Sequence, residues 1–458
     1  MNKSPLNQVS NQQRLAISMI LVFTFGLDTF AEKTTVYLSK PKADAFTLEM
    51  AKQQALDGGE TTVQIAREQI EESKGSLEAA QGLRKPTLNA SVGMGVMNKM
   101  GDTTGAFGSH NIGISFPFLN NSITTSINSA KNTELAREQL YLAQLNQAML
   151  AVTIDYYNTV KANKDVVVAS KPVEASQAYY NSELNKMKSG IGSKIDMLTA
   201  KVQLDNAKIS FTNAQASAAL TCTSLITLIN NEDLGVCARL VEPVVPSRFN
   251  VNTTSALNRA LNSRPEVMAN QDLIAAARDQ RAGIGGWKNH VSGSFGVSNS
   301  SANPSGIPGI VPLHNGSINT VGATITLTWG GSDQGNIKAA NSRIDQATTM
   351  LTDAQKNIRR DVLNAQTILA QAYANKSNAQ MAFDDASSLI QTYQGQVKSG
   401  INIMDSNAYV QDLTKYQQAQ QALFEADCNV AEAIAQLQAA VGAPASMNIF
   451  EFLVSGLL

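Results

Sequence analysis

Asn111-Ile112-Gly113-Ile114-Ser115-Phe116-Pro117-Phe118 alternates apolar with small or polar residues, and a long helical pattern opens three residues later, at Asn121. A similar passage, Val321-Gly322-Ala323-Thr324-Ile325-Thr326-Leu327-Thr328-Trp329, stands ahead of a second long helical stretch. Successive side chains of a strand point to opposite faces, so each segment has one apolar and one polar face. Two companion segments precede them. Leu88, Ala90, Val92, Met94 and Val96 alternate with Asn89, Ser91, Gly93 and Gly95, while Val291, Phe295 and Val297 alternate with Ser292, Ser294 and Gly296. Alternation over about ten residues marks a strand with lipid on one side and water on the other. The edge of a soluble sandwich reads the same way when taken one strand at a time. Four matched segments in an exported chain favour the membrane. Four strands cannot close a barrel, since known ones need about eight or more, so several chains must share one.

The start of the chain reads as an export signal. Lys3 and Arg14 lie ahead of an apolar run from Leu15 to Leu27, and Thr29-Phe30-Ala31 supplies small residues at the two cleavage-determining positions. The run is shorter than the roughly 20 residues a spanning helix needs. No cysteine follows it, so no lipoprotein anchor is expected. No other stretch reaches 18 apolar residues, and a membrane location therefore requires a closed barrel.

Composition narrows the function. Of 458 residues, 16% are charged, against roughly 25% in an ordinary globular protein. The 36 basic and 37 acidic side chains leave a formal charge of −1, which excludes a strongly electrostatic nucleic-acid binder. Three cysteines show no metal-binding spacing, and His110, His290 and His314 form no helical pair. Neither a metal nor a cofactor is expected. No acid–base pair or activated nucleophile is legible, so the chain does not read as an enzyme.

The chain repeats itself once. Ser189-Gly190-Ile191 recurs 210 residues on as Ser399-Gly400-Ile401, and Ile127-Asn128-Ser129-Ala130 recurs at the same shift as Ile337-Lys338-Ala339-Ala340. Upstream the shift is 203: Ser91-Val92-Gly93 lies on Ser294-Phe295-Gly296. The difference falls in the Pro- and Gly-rich stretch from Ser298 to Asn319, which reads as a longer turn. The constant shift from Asn121 to Gly190 and from Gly331 to Gly400 describes two struts of matched length. In the second, Ile337, Ala340, Ile344, Ala347, Leu351, Ala354, Ile358 and Val362 step by threes and fours, a helical seam. Asn121 to Lys188 spans roughly 100 Å at about 1.5 Å per residue. Pro172 is expected to kink this helix. Shorter helices are expected over Thr61–Arg84, Pro265–Trp287, Ile195–Asn230 and Asp405–Val441, with Pro265 suited to a first turn. Gly283, Gly285 and Gly286 do not open a helix after a strand, so they bend helix into strand rather than bind phosphate.

This arrangement resembles the TolC-like outer-membrane efflux and type I secretion channel family over roughly Thr47 to Gly442. The resemblance is carried by the duplicated layout, by Arg264-Pro265-Glu266, and by the turn Gly190-Ile191-Gly192-Ser193-Lys194-Ile195-Asp196-Met197-Leu198. It implies a mainly α fold with transmembrane β: a homotrimeric α-helical barrel joined to a 12-stranded β-barrel, four strands per chain, with internal duplication. The implied layout is a signal peptide (1–31), an N-terminal segment with an equatorial helix (32–60), repeat 1 (61–230), an equatorial linker (231–264), repeat 2 (265–442) and a C-terminal segment (443–458). Implied partners are outer-membrane lipid, a periplasmic adaptor (membrane fusion) protein and an inner-membrane RND or ABC transporter. The channel would be a passive conduit in a Gram-negative outer membrane, closing at its periplasmic helical tip.

Site residues follow from that resemblance. Ser189, Gly190, Ile191, Ser399, Gly400 and Ile401 are the expected adaptor-contact turns. Asp196, Asp405 and Lys194 are the gate and selectivity candidates, although both acids equally suit helix N-termini. The family's cross-helix basic position, two after Gly400, is occupied by Asn402, a departure from the pattern. Phe116, Phe118, Phe295 and Trp329 are the candidate membrane-interface aromatics. Cys222 and Cys237 are expected either to pair in an oxidising compartment or to remain buried thiols. The rival reading is a trimeric coiled-coil surface fibre or adhesin, which has no need of amphipathic hairpins between its helices.

Overall fold

The computed structural model describes residues 45–58, 61–99, 103–246, 251–305, 318–328, 331–398 and 406–443. The first part of the chain contains α1 (Leu48–Gly58), α2 (Thr61–Gly82), β1 (Thr87–Lys99), β2 (Thr103–Asn120), α3 (Asn121–Lys188) and α4 (Lys194–Leu228). After a 3-10 turn at Leu234–Arg239 come α5 (Thr253–Ser263), α6 (Pro265–Ala282), the single turn α7 (Trp287–His290), β3 (Val291–Ser305), β4 (Ile318–Leu327), α8 (Asp333–Lys398) and α9 (Ser406–Val441). Helix, two strands, long helix and helix thus occur twice in the same order. The signal reading at 1–31 and the segment after Ala443 lie outside the described residues.

The 68-residue α3 has the bounds its periodicity predicts. Asn120 caps it, its side chain accepting from the Ile123 amide at 3.3 Å, and Lys186 and Lys188 meet the negative end of its dipole. The helix continues through Pro172 as one element. The helix expected over Pro265–Trp287 instead stops at Ala282. Gly285 and Gly286 take φ of +69° and +80°, a left-handed backbone that ends a helix. Pro265 occupies the start of α6, as expected.

Each long helix is accompanied by shorter ones. Beside α3, α2 lies toward the strands, where Arg84 donates to the Thr124 hydroxyl at 2.9 Å. Farther along, α4 takes over, where the Thr159 hydroxyl donates to the Thr221 carbonyl at 3.1 Å. On α8 the same roles fall to α6 and α9, through Arg281–Asn341 and Lys376–Asp427.

The apolar cores sit near the middle of these struts. One gathers Phe46, Ala51, Ala55, Met149, Val152, Tyr156, Leu225 and Ile229, and the other Ala256, Ala260, Ile358, Val362, Ala365, Val430 and Leu437. The many alanines let helix axes approach closely. Buried Tyr156 fixes two connecting segments: its hydroxyl donates to the Phe46 carbonyl and accepts from the Val241 amide, both at 2.8 Å. Cys222 and Cys237 are bonded, with Cα atoms 5.8 Å apart, tying the end of α4 to the 3-10 turn. Replacing both by serine is expected to lower unfolding stability by about 3 kcal/mol for a loop of this size. Denaturant unfolding with and without reductant checks this, since the reductant should reproduce the double variant.

A polar cluster joins the two halves. Gln421 on α9 donates to Asp165 on α3 at 2.7 Å and to Glu425 at 2.9 Å. Burial, with the Glu425 charge adding to it, pushes the Asp165 carboxyl up to about 6. Lys161 opposes this but is itself held by Glu432 at 2.7 Å. The folded state therefore holds the Asp165 proton more tightly than the unfolded chain does. Its contribution to stability is fully present below about pH 4 and is lost as pH rises through about 6. Asp165→Asn should remove that part of the pH dependence and be more stable than the parent at pH 7.5, as read by thermal unfolding between pH 4 and 8.

Candidate functional site

The four strands form one antiparallel sheet in the order β1-β2-β3-β4. Its register aligns chemistry across strands far apart in sequence. Leu88, Ile114, Val297 and Val321 make one row across all four, and Phe116 faces Phe295, which faces Ala323. These large apolar side chains share a face and are exposed. The opposite face carries the rows Thr87–Ser115–Gly296–Gly322 and Asn89–Gly113–Ser298–Thr320. Hydroxyls pair along it, Thr87 with Ser115 at 2.8 Å and Ser298 with Thr320 at 2.7 Å. Among the described residues, β1 and β4 each pair on one side only.

The base of the sheet is anchored to the helices by contacts that were not legible in the sequence. A register shift falls between Pro117 and Leu119, and the Phe118 ring lies so close to Gly293 that a Cβ there would come within 2.7 Å of it. His290 bridges strand and helix: its Nδ1 is 2.7 Å from the Thr328 carbonyl and its Nε2 is 3.0 Å from Asp333 at the start of α8. Asn121, first in α3, donates to Asn289 at 2.6 Å. Trp287, 66% exposed, stands beside them with the Lys288 ammonium over its ring. The preceding glycine pair was the available signal that Trp287 leaves its helix for this junction.

The other end of α3 is a tight turn. Ser189 closes the helix and Gly190 has φ +74°, after which the amides of Ile191 and Gly192 donate back to the Lys186 carbonyl at 3.1 and 3.0 Å. This is the left-handed stop that favours glycine. Ser193 caps α4 by accepting from the Ile195 amide at 3.0 Å. Lys194 and Asp196 are exposed in the first turn of α4. Nearby, a hydrogen bond from Lys186 to buried Glu183 raises the lysine's pKa, with Asp196 adding a smaller contribution. Ile191 is 81% exposed, and Ile195, Leu198 and Val202 continue an exposed apolar line at helical spacing.

Of the expected site residues, the structure thus brings Ser189, Gly190, Ile191, Lys194 and Asp196 together at one tip, and Phe116, Phe118 and Phe295 together at the sheet. Ser399, Gly400, Ile401, Asp405 and Trp329 lie outside the described residues.

Long helical struts joined to a sheet with one uncovered apolar face define an outer-membrane channel fold. Solved channels share it. CmeC of Campylobacter jejuni superposes with a TM-score of 0.69 at 14% identity, covering 91% of this chain and 93% of that one. A membrane protein from Pseudomonas aeruginosa gives 0.69 at 14%, covering 88% and 98%. The open state of the MtrE channel of Neisseria gonorrhoeae gives 0.65 at 17%, covering 87% and 89%. Residues 52–231 match the family of outer membrane efflux proteins. No curated protein matches the sequence. The chain thus matches the outer membrane efflux proteins in sequence over residues 52–231, and over most of its length it has the fold of solved outer-membrane channels.

The turn makes a local prediction. A Cβ at Gly192 would come within 2.8 Å of the Lys186 Cβ and the Met187 amide, whereas Gly190 has open space and only a left-handed backbone. Gly190→Ala should cost about 1 kcal/mol. Gly192→Ala should displace the turn itself. Trypsin cleavage at Lys188 and Lys194 should accelerate markedly in Gly192→Ala and little in Gly190→Ala.

Proposed function

We propose that this protein is the outer-membrane exit duct of a tripartite efflux pump or type I secretion system. Three copies set their sheets edge to edge, β1 of one beside β4 of the next, and close a 12-stranded barrel. The apolar rows face lipid, with Phe116, Phe118, Phe295 and Trp329 near the interface, and the polar rows line the passage. The helices of the two repeats continue the passage through the periplasm. The supporting observation is the four-stranded sheet itself: among the described residues both outer strands pair on one side and the apolar face is left open. Unpaired edges are tolerated in a membrane only when a barrel closes them.

In this reading the turns at Ser189–Ile191 and Ser399–Ile401 receive a periplasmic adaptor, which links the duct to an inner-membrane RND or ABC transporter. Asp196 and Asp405, with Lys194 beside them, sit where three copies converge. A ring of like charges in a narrow, low-dielectric throat resists closure and attracts cations. The duct does no chemistry and moves cargo passively.

Native mass measurement in detergent should return a trimer, and the purified protein should conduct in planar bilayers. Asp405→Asn should lower cation preference, and the double variant with Asp196→Asn should lower it further. A stable, non-conducting monomer would overturn the duct. Unchanged reversal potentials in the double variant would make the two acids helix caps only.

A further inference from the structure

The polar face of the sheet is uncharged as well as polar. From the helices up to the level of Asn89, every inward position among the described residues is a hydroxyl, an amide, a proline or a glycine, as at Thr87, Ser115, Ser298, Thr320 and Thr324. The strands hold two ionisable residues. His110 pairs in register with Val92 and so shares the apolar face, and Lys99 ends β1 at the rim away from the helices. Just below the sheet His290 and Asp333 are paired with each other, and Arg84, Lys85 and Lys288 stand within a few residues of the strand ends. The contrast is with the helical tip, where Lys186, Lys188, Lys194 and Asp196 crowd within a few residues.

Symmetry makes this neutrality consequential. In a closed trimer any inward charge appears three times on one ring. Fixed charge of one sign on a low-dielectric wall raises or lowers the local concentration of charged solutes, changing their rates by about 10-fold to 1,000-fold. Hydroxyl and amide dipoles reorient toward either sign and impose no such bias. We infer that the strand-lined part of the duct does not sort cargo by charge: it passes hydrated solutes of either sign and discriminates by size, leaving charge selection to the helical end. The inference rests on the duct reading above and deepens it to a class of cargo.

The test uses cysteine accessibility in the full-length channel in planar bilayers. Ser115→Cys and Thr324→Cys probe the polar face, and Ile325→Cys probes the apolar one. Each is treated with a cationic and an anionic methanethiosulfonate of similar size, and rates are normalised to a free thiol. The parent chain supplies the blank, because Cys222 and Cys237 are bonded and Cys428 is buried, its thiol pushed up to about 12 chiefly by that burial.

Both reagents should modify the polar-face cysteines at normalised rates within about threefold of each other, below the smallest bias expected of a charged wall. A preference of tenfold or more for one sign overturns the inference while leaving the duct intact. Adding Thr324→Asp to Ser115→Cys should then favour the cationic reagent by about tenfold or more. An unchanged ratio there overturns it too, because wall charge would have no hold on what passes. Reaction at Ile325→Cys with none at Thr324→Cys reverses the faces and defeats the duct reading itself.

Discussion

An apolar sheet face that the described residues leave open conditions everything else in this molecule. Leu88, Ile114, Val297 and Val321 are aligned by register and exposed together with Phe116 and Phe295. In water such a surface forgoes about 25 cal/mol for every Å² left unburied, and its open edges invite pairing with other chains. In a bilayer the same surface is what a spanning strand must present. The helices obey the opposite rule: among the described residues none is long and apolar enough to cross a membrane. The chain changes character at Asn120 and Asp333, where strand gives way to strut.

Those two places are built as joints. The Asn120 cap, the Asn121–Asn289 hydrogen bond and the His290–Asp333 contact lock sheet and helix together within a few residues. Below them the struts are stiff because each is one continuous helix, and they are held by apolar cores only near their middles. Toward the tip the packing changes character. Exposed Ile195, Leu198 and Val202 repeat on a helix what the sheet shows on strands: an apolar face that the described residues leave uncovered.

Between the halves polar contacts stand beside apolar ones, since Phe424 and Cys428 of α9 pack into the core around Tyr156. Asp165, Gln421 and Glu425 share one amide across α3 and α9, and Lys161 spans to Glu432 close by. Partly buried ion pairs of this kind recover little more than their desolvation cost. Such polar contacts specify which helix faces which, while the apolar core around Tyr156 and Cys428 supplies the burial.

Much of this was legible in residues taken in order. The alternation at Asn111–Phe118 and Val321–Leu327, the seam from Asn121 to Lys188, Pro265 as a helix start and Gly190 as a helix stop are all local signals, because period and backbone freedom are properties of a few neighbouring residues. The sequence also allowed Cys222 and Cys237 to be either bonded or buried thiols, and it carried the α6 pattern past the point where two left-handed glycines end it. What remained needed the tertiary structure. That Phe116 stands against Phe295, that Asp165 meets Glu425, and that His290 reaches Asp333 depend on register and helix pairing between segments separated by tens to hundreds of residues. Periodicity along a chain states which face a side chain occupies; only the packed structure states what that face meets.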